Sequence, residues 1–133
     1  MQDSLQMIEK SQIALLGSVD DQGFPNIKAM LKMKNEGLRE FWFSTNTSSK
    51  RVSQFKTNPK ASVYFLDQPT WKGLMLTGTV SILNDRKSRE LVWRNGFEKY
   101  YPLGIDDPDY CVLKFTAHQG NFYHNLENLT FEP

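Results

Sequence analysis

Residues 26–34, Asn-Ile-Lys-Ala-Met-Leu-Lys-Met-Lys, repeat with a period of two and are bracketed by turn sequences. A period of two belongs to extended chain, in which successive side chains point to opposite faces. Lys28, Met30, Lys32 and Lys34 share one face, and Ile27, Ala29, Leu31 and Met33 share the other. Asp20-Asp21-Gln22-Gly23 precedes the stretch and Asn35-Glu36-Gly37 follows it, both rich in residues that favour turns. The apolar run Ile13–Val19 lies before the first turn, and residues 38–44 form a third apolar stretch. Three strands joined by tight turns make an antiparallel meander. The middle strand is expected at residues 24–33, with its apolar face buried. Its lysine face is open to two readings, a solvated outer face or the wall of an anion site.

The rest of the chain extends this pattern. Residues 3–11 predict a short amphipathic helix with Leu5 and Ile8 on one face, and residues 48–57 a second helix with Val52 and Phe55 at core spacing. Asn58-Pro59 stops the second helix. Strands are expected at 61–66 and 71–83, the latter bending at Gly73 and Gly78. A third helix starts near Asp85 as its cap and ends at Asn95-Gly96, anchored by Leu91 and Val92. An irregular aromatic and acidic stretch, 97–109, precedes two final strands at 110–116 and 121–125. Six or seven strands with helices set between them, without βαβ alternation, predict an α+β fold: an antiparallel, closed or partly closed barrel in one domain, residues 1–133.

The chain has 16 Lys and Arg against 15 Asp and Glu, for a net charge of +1. Such a balance supplies no general attraction to nucleic acid or to an anionic membrane. The single cysteine, Cys111, excludes an internal disulfide and fits a reducing, cytoplasmic setting. No apolar run is long enough to span a bilayer, and Asp3 and Glu9 do not suit a signal peptide. His118 and His124 lack a third ligand at metal spacing, so no metal site is expected. Cys111, Leu113 and Phe115 share a strand face and read as core; Tyr100 and Tyr101 read either as packing or as a pocket mouth.

The junction Phe41-Trp-Phe-Ser-Thr-Asn-Thr-Ser-Ser-Lys-Arg51 carries the clearest chemistry. An aromatic strand runs into hydroxyl and amide side chains, then into two adjacent cations at a helix start. The first turn of a helix presents unpaired N–H groups and positive dipole, both suited to a phosphate. Ser48, Ser49, Lys50 and Arg51 add hydroxyl and cationic donors there. If the second and third strands pair, the lysine face lies near this helix start, and two sources of positive charge converge.

These segments, with 14–25, 58–64, Leu76-Thr-Gly-Thr79, Leu91-Val-Trp93 and 101–109, resemble the pyridoxamine 5′-phosphate oxidase-like flavoproteins, in particular their general stress protein 26-like branch. The resemblance covers nearly the whole chain and rests on the order and spacing of its pieces. It implies a split β-barrel that binds flavin mononucleotide (FMN). It assigns Thr45, Asn46, Ser49, Lys50 and Arg51 to the phosphate and ribityl chain, and Lys28, Ala29, Met30 and Lys32 to the strand beside the isoalloxazine. It further implies a homodimer with the flavin between subunits, where Trp71 and Lys72 close over the partner's cofactor. Two positions depart from the family: Gly73 stands where many oxidases have glutamine, and the end Asn128-Leu-Thr-Phe-Glu-Pro133 lacks the Trp- and Arg-containing strand of the enzymes that oxidise pyridoxamine phosphate. The expectation is therefore an FMN-dependent oxidoreductase acting on an unidentified small molecule with a donor such as NAD(P)H. The alternative on the same fold is a non-enzymatic flavin or haem protein, with His118 or His124 as the haem ligand.

Overall fold

The turn at residues 20–23 forms where the pattern places it, whereas Asn35 and Glu36 prolong the second strand and the next turn falls at residues 37–39. In the computed structural model, which describes residues 2–133, α1 (Gln2–Lys10) leads into β1 (Ile13–Val19), β2 (Pro25–Glu36) and β3 (Glu40–Asn46). There follow α2 (Lys50–Thr57), β4 (Lys60–Asp67), β5 (Lys72–Leu83), α3 (Arg86–Val92), β6 (Tyr110–His124) and β7 (Glu127–Phe131). The sheet order is β3-β2-β1-β4-β5-β6-β7, and β3 also pairs with β6. That extra pairing closes six antiparallel strands into a barrel and leaves β7 as an added strand.

Closure brings the inward faces of all six strands together. Leu16, Phe41, Phe43, Val63, Phe65, Leu74, Leu76, Leu113 and Phe115 fill the interior, joined by Ile8 from α1 and by Val52 and Phe55 from α2. Each such side chain, fully buried, contributes about 1.5–3 kcal/mol. Cys111 is buried in the same cluster, and burial pushes its thiol pKa up, as expected of an inert core residue. A second cluster of Trp42, Val92, Tyr101, Tyr110 and Val112 lies under α3 and the loop that follows. There Trp93 meets Tyr110 edge-on at 5.1 Å, and the Tyr110 hydroxyl donates to the Arg89 carbonyl at 3.1 Å.

Several expectations need correction. The apolar face of β2 is not the buried one: Ile27 is 75% exposed and Leu31 is exposed, whereas Met30 is buried. The reason lies in β1, whose inward residues Ala14 and Leu16 oppose Met30 and Lys28, so the even-numbered residues of β2 face the barrel. A bulge between Lys32 and Lys34 then breaks the period, and Met33 packs against the second cluster. In α3 only Val92 is an anchor; Leu91 is exposed, and Trp93 packs in its place. Tyr101 is buried packing, while Tyr100 projects into solvent. The strands expected at 110–116 and 121–125 are one strand, β6, with a register shift opposite Thr77 and Gly78. Gly78 permits that bend, since a Cβ there would lie 1.9 Å from the Thr116 carbonyl oxygen. β7 has no sequence signal of its own; the turn before it uses Asn125 and Leu126, both at positive φ, rather than a glycine.

Candidate functional site

The pairing of β2 sets the site. Residues 25–31 pair with β1 alone, and pairing with β3 begins only at Lys32. The Lys32 amide donates to the Gln12 carbonyl at 2.8 Å, so even-numbered residues aim their backbone groups at β1. By alternation, the N–H and C=O groups of Ile27 and Ala29 face an edge that no strand covers. This gap between β2 and β3 is the split in the barrel, and α2 sits beside it.

A pocket of about 90 Å³ lies at this gap, lined by Ser18, Asn26, Ile27, Lys28, Lys50, Arg51 and Gln54. Lys28 from β2 and Lys50 and Arg51 from the first turn of α2 converge there, beside the part of β2 that β3 leaves unpaired. Arg51 Nε is buried and has no hydrogen-bond partner. A buried, charged donor without an acceptor is costly, and an anion in the pocket would satisfy it. Ser18 and Gln54 join their side chains across the pocket. The resemblance assigns neither to the cofactor, although Ser18 lies in its segment 14–25 and Gln54 is one of its positions.

The remaining junction residues shape the turn. Ser49 is the N-cap of α2; its Oγ accepts from the Val52 amide at 3.3 Å and lies 3.5 Å from Thr45 Oγ1. Thr45 and Ser49 are both buried. Asn46 Nδ2 donates to Ser48 Oγ at 2.8 Å. The Ser49 amide donates to the Asn46 carbonyl at 3.0 Å, and the Thr47 and Ser48 amides donate to Asp109. Among the described residues, the chain's own hydrogen bonds leave the amides of Lys50 and Arg51 free at the helix start.

Other candidates lie elsewhere. Met30 points into the barrel interior, while Ala29 lies on the exposed face. Lys32 donates to the Ile8 carbonyl at 2.7 Å and to Asn35 Oδ1 at 2.9 Å, tying α1 to the barrel. Burial holds its ammonium below the usual lysine range, against the opposing pull of Glu9. Lys34 lies 3.7 Å from Glu36 and over the Trp42 ring. The lysine row is thus no continuous anion wall; only Lys28 reaches the pocket. Trp71 ends the turn before β5 and Lys72 starts that strand, at the far end of the β4–β5 pair from Lys60, and Lys72 lines a different cleft, beside α1. Trp71 is exposed with φ 57°, a conformation that costs a bulky residue about 1–2 kcal/mol. Among the described residues no three His, Cys, Asp or Glu side chains cluster as metal ligands. His118 is exposed at the rim of a mainly apolar cleft, and His124 lies beside Phe122.

Gly73 has a structural explanation. A Cβ there would lie 2.0 Å from the Tyr64 hydroxyl, so the Tyr64 ring occupies the space that a side chain at position 73 would need. Around this pair one sheet face is apolar. Ile13 stands opposite Leu31, Leu15 opposite Ala29 and Tyr64, and Tyr64 opposite Met75. Ile13, Leu15, Ile27, Leu31 and Met75 are all exposed on it.

The sequence profile of the family described as pyridoxamine 5′-phosphate oxidase matches residues 2–124. The pyridoxine/pyridoxamine 5′-phosphate oxidase of Pelagibacter ubique (strain HTCC1062) is 31% identical over 87 residues, which are 62% of this chain and 39% of that protein. The chain therefore spans well under half the length of this curated relative. A solved structure from Clostridium acetobutylicum, of a protein related to general stress protein 26 of B. subtilis (pyridoxinephosphate oxidase family), superposes with a TM-score of 0.89 at 50% identity, covering 98% of this chain and 92% of that one. A heme binding protein of Mycobacterium smegmatis shares the fold alone, with a TM-score of 0.78 at 12% identity over 98% of this chain and 56% of that one. No helix among the described residues is long and apolar enough to cross a membrane.

Proposed function

The chain belongs to the pyridoxamine 5′-phosphate oxidase family, and from that premise we propose that it binds FMN as a homodimer and serves as a flavin-dependent oxidoreductase for a small molecule. The observation that carries this reading is the convergence of Lys28, Lys50 and the unpartnered Arg51 Nε on one small pocket. A phosphate there takes three cationic side chains and the two free amides of Lys50 and Arg51, charge-assisted donors of the stronger kind. The uncovered edge of β2 suits the polar rim of an isoalloxazine, which presents donors and acceptors in its plane, as Ile27 and Ala29 do in theirs.

Bound FMN would supply the hydride and electron transfer, so the chain need not supply an acid–base triad. Its own residues bind and orient. Lys28, Lys50 and Arg51 hold the phosphate, Thr45 and Ser49 lie beside it, and the β2 edge sets the angle of the ring. The apolar face of β1, β2, β4 and β5 is the proposed dimer interface. A self-complementary apolar patch of this kind suits a two-fold contact between identical subunits. In such a dimer the partner's exposed Trp71 and Lys72 would complete the flavin site. A reduced nicotinamide or another small donor would reach the ring from the remaining open side. The flavin reading is favoured over haem because neither His118 nor His124 lines the cationic pocket.

Titrating the purified chain with FMN tests the reading. Uptake at micromolar concentration, with quenched flavin fluorescence, is expected, and a protein that takes up no FMN would sink it. Anaerobic mixing with NADH or NADPH separates an enzyme, which bleaches the flavin and turns over, from a protein that only binds it. Light scattering should give a dimer; Leu15→Glu with Leu31→Glu should give a folded monomer with weakened FMN binding.

A further inference from the structure

Resting on the flavin-phosphate reading, we propose that Asp109 is the positioning residue of the anion site, holding the turn that aims the start of α2 at the phosphate. Asp109 takes up both amides of that turn. The Thr47 N–H donates to its carbonyl at 2.6 Å and the Ser48 N–H to its carboxylate at 3.0 Å. The Thr47 hydroxyl adds a third link, to the Pro108 carbonyl at 3.1 Å. Ser48 and Asp109 are 61 positions apart in sequence, so the link is purely tertiary.

Asp109 is itself held rigidly. Its amide donates to Asp107 Oδ1 at 2.9 Å, and buried Asp107 also accepts from the Leu103 amide at 3.1 Å. Arg89 of α3 donates to the Ile105 and Asp107 carbonyls at 2.8 and 3.0 Å. Arg86 pairs with both carboxylate oxygens of Asp106, at 2.5 and 2.6 Å. The loop of residues 97–109 is therefore a brace between α3 and the start of α2.

The consequence falls on the anion pocket. With Thr47 and Ser48 tied to Asp109 and Ser49 tied to Asn46, the turn has one orientation, and the free amides of Lys50 and Arg51 point out of it. A carboxylate near an anion site works against the anion by charge, so its use at this turn must lie in its geometry as an acceptor. Charge and geometry can be separated. Asp109→Asn keeps an acceptor for the Ser48 amide and removes the negative charge; Asp109→Ala removes both.

The experiment is a pair of titrations on the full chain, with FMN and with riboflavin, which lacks the phosphate. Asp109→Ala should weaken FMN binding about tenfold or more and leave riboflavin binding unchanged. Asp109→Asn should bind FMN as tightly as the wild type, or more tightly. The proposal is overturned if Asp109→Ala binds FMN like the wild type, if it loses both flavins alike, or if Asp109→Asn loses FMN as the alanine variant does. Should Asp109→Ala fail to melt cooperatively, the asparagine variant decides: wild-type affinity supports the proposal and a roughly tenfold loss overturns it. A wild-type chain that takes up neither flavin overturns the flavin reading together with this one.

Discussion

The two halves of β2 belong to one strand and both carry lysines, yet they do different work. In the first half, residues 25–31, one edge lies open, and Lys28 reaches a pocket shared with Lys50 and Arg51. In the second half, β3 covers that edge, Lys32 pins α1, and Lys34 rests on Trp42. The difference lies in what each edge faces, not in the side chains. Where a neighbouring strand pairs, the backbone groups are used and the lysines find protein partners; where none pairs, both remain available to a ligand.

Removing charge from the pocket beside the first half, and separately from the second half, should break the comparison most sharply. Lys50→Ala with Arg51→Ala removes two charge-assisted contacts of about 1.5–3 kcal/mol each, so FMN affinity should fall about a hundredfold or more. Lys34→Ala should leave that affinity unchanged in the same titration. Equal losses in both variants would show that the lysines act through general charge rather than position.

The inward and outward faces of the first half provide the next contrast. Met30→Ala empties a buried site and should cost about 2–5 kcal/mol in urea unfolding. Leu31→Ala, on the exposed face, should change the unfolding of a single chain by no more than about 0.5 kcal/mol while weakening the proposed dimer. A large intrinsic cost at Leu31 in the monomeric background would contradict this assignment of the two faces.

Gly73 and Tyr64 sharpen the picture on the proposed interface. Gly73→Gln should destabilise by about 1–3 kcal/mol, because the Tyr64 ring fills the space. In a Tyr64→Ala background that cost should shrink, giving a coupling of about 0.5–3 kcal/mol in a double-mutant cycle. Strict additivity would mean that the two positions do not compete for one volume.

The smallest effect concerns the aromatic cluster that backs β3. Burial, and then the neighbouring Tyr101, push the Tyr110 phenol from 10.0 up to about 12. A raised pKa favours the neutral form in the folded state, so its stabilisation is complete below pH 10 and is lost as pH rises from 10 towards 12. Ultraviolet titration should find one tyrosine ionising near 12, absent in Tyr110→Phe. A normal titration of that residue would mean that the cluster is open to water.

The sequence carried much of the fold because turns and caps are local. Asp20 accepts from the Gln22 and Phe24 amides within its own turn, and Asp85 caps α3 through Ser88, so residue type and spacing were enough to place both. The helix start at Ser49-Lys50-Arg51 was legible for the same reason. Facing was less so. A period of two names two faces of β2 without saying which is buried, and the exposed apolar residues read as core when only one chain is considered. The β6–β7 hairpin was missed because its turn carries Leu126 at positive φ, where a glycine signal would be expected.

By itself, then, the sequence determined the strands, the turns and the cationic helix start, since each depends on neighbours a few residues away. The tertiary structure alone decided which edge of β2 stays open, which lysine meets Arg51, and that Asp109 holds the turn before α2. Those depend on barrel closure, which brings together groups as far as 61 residues apart and leaves no periodic trace along the chain.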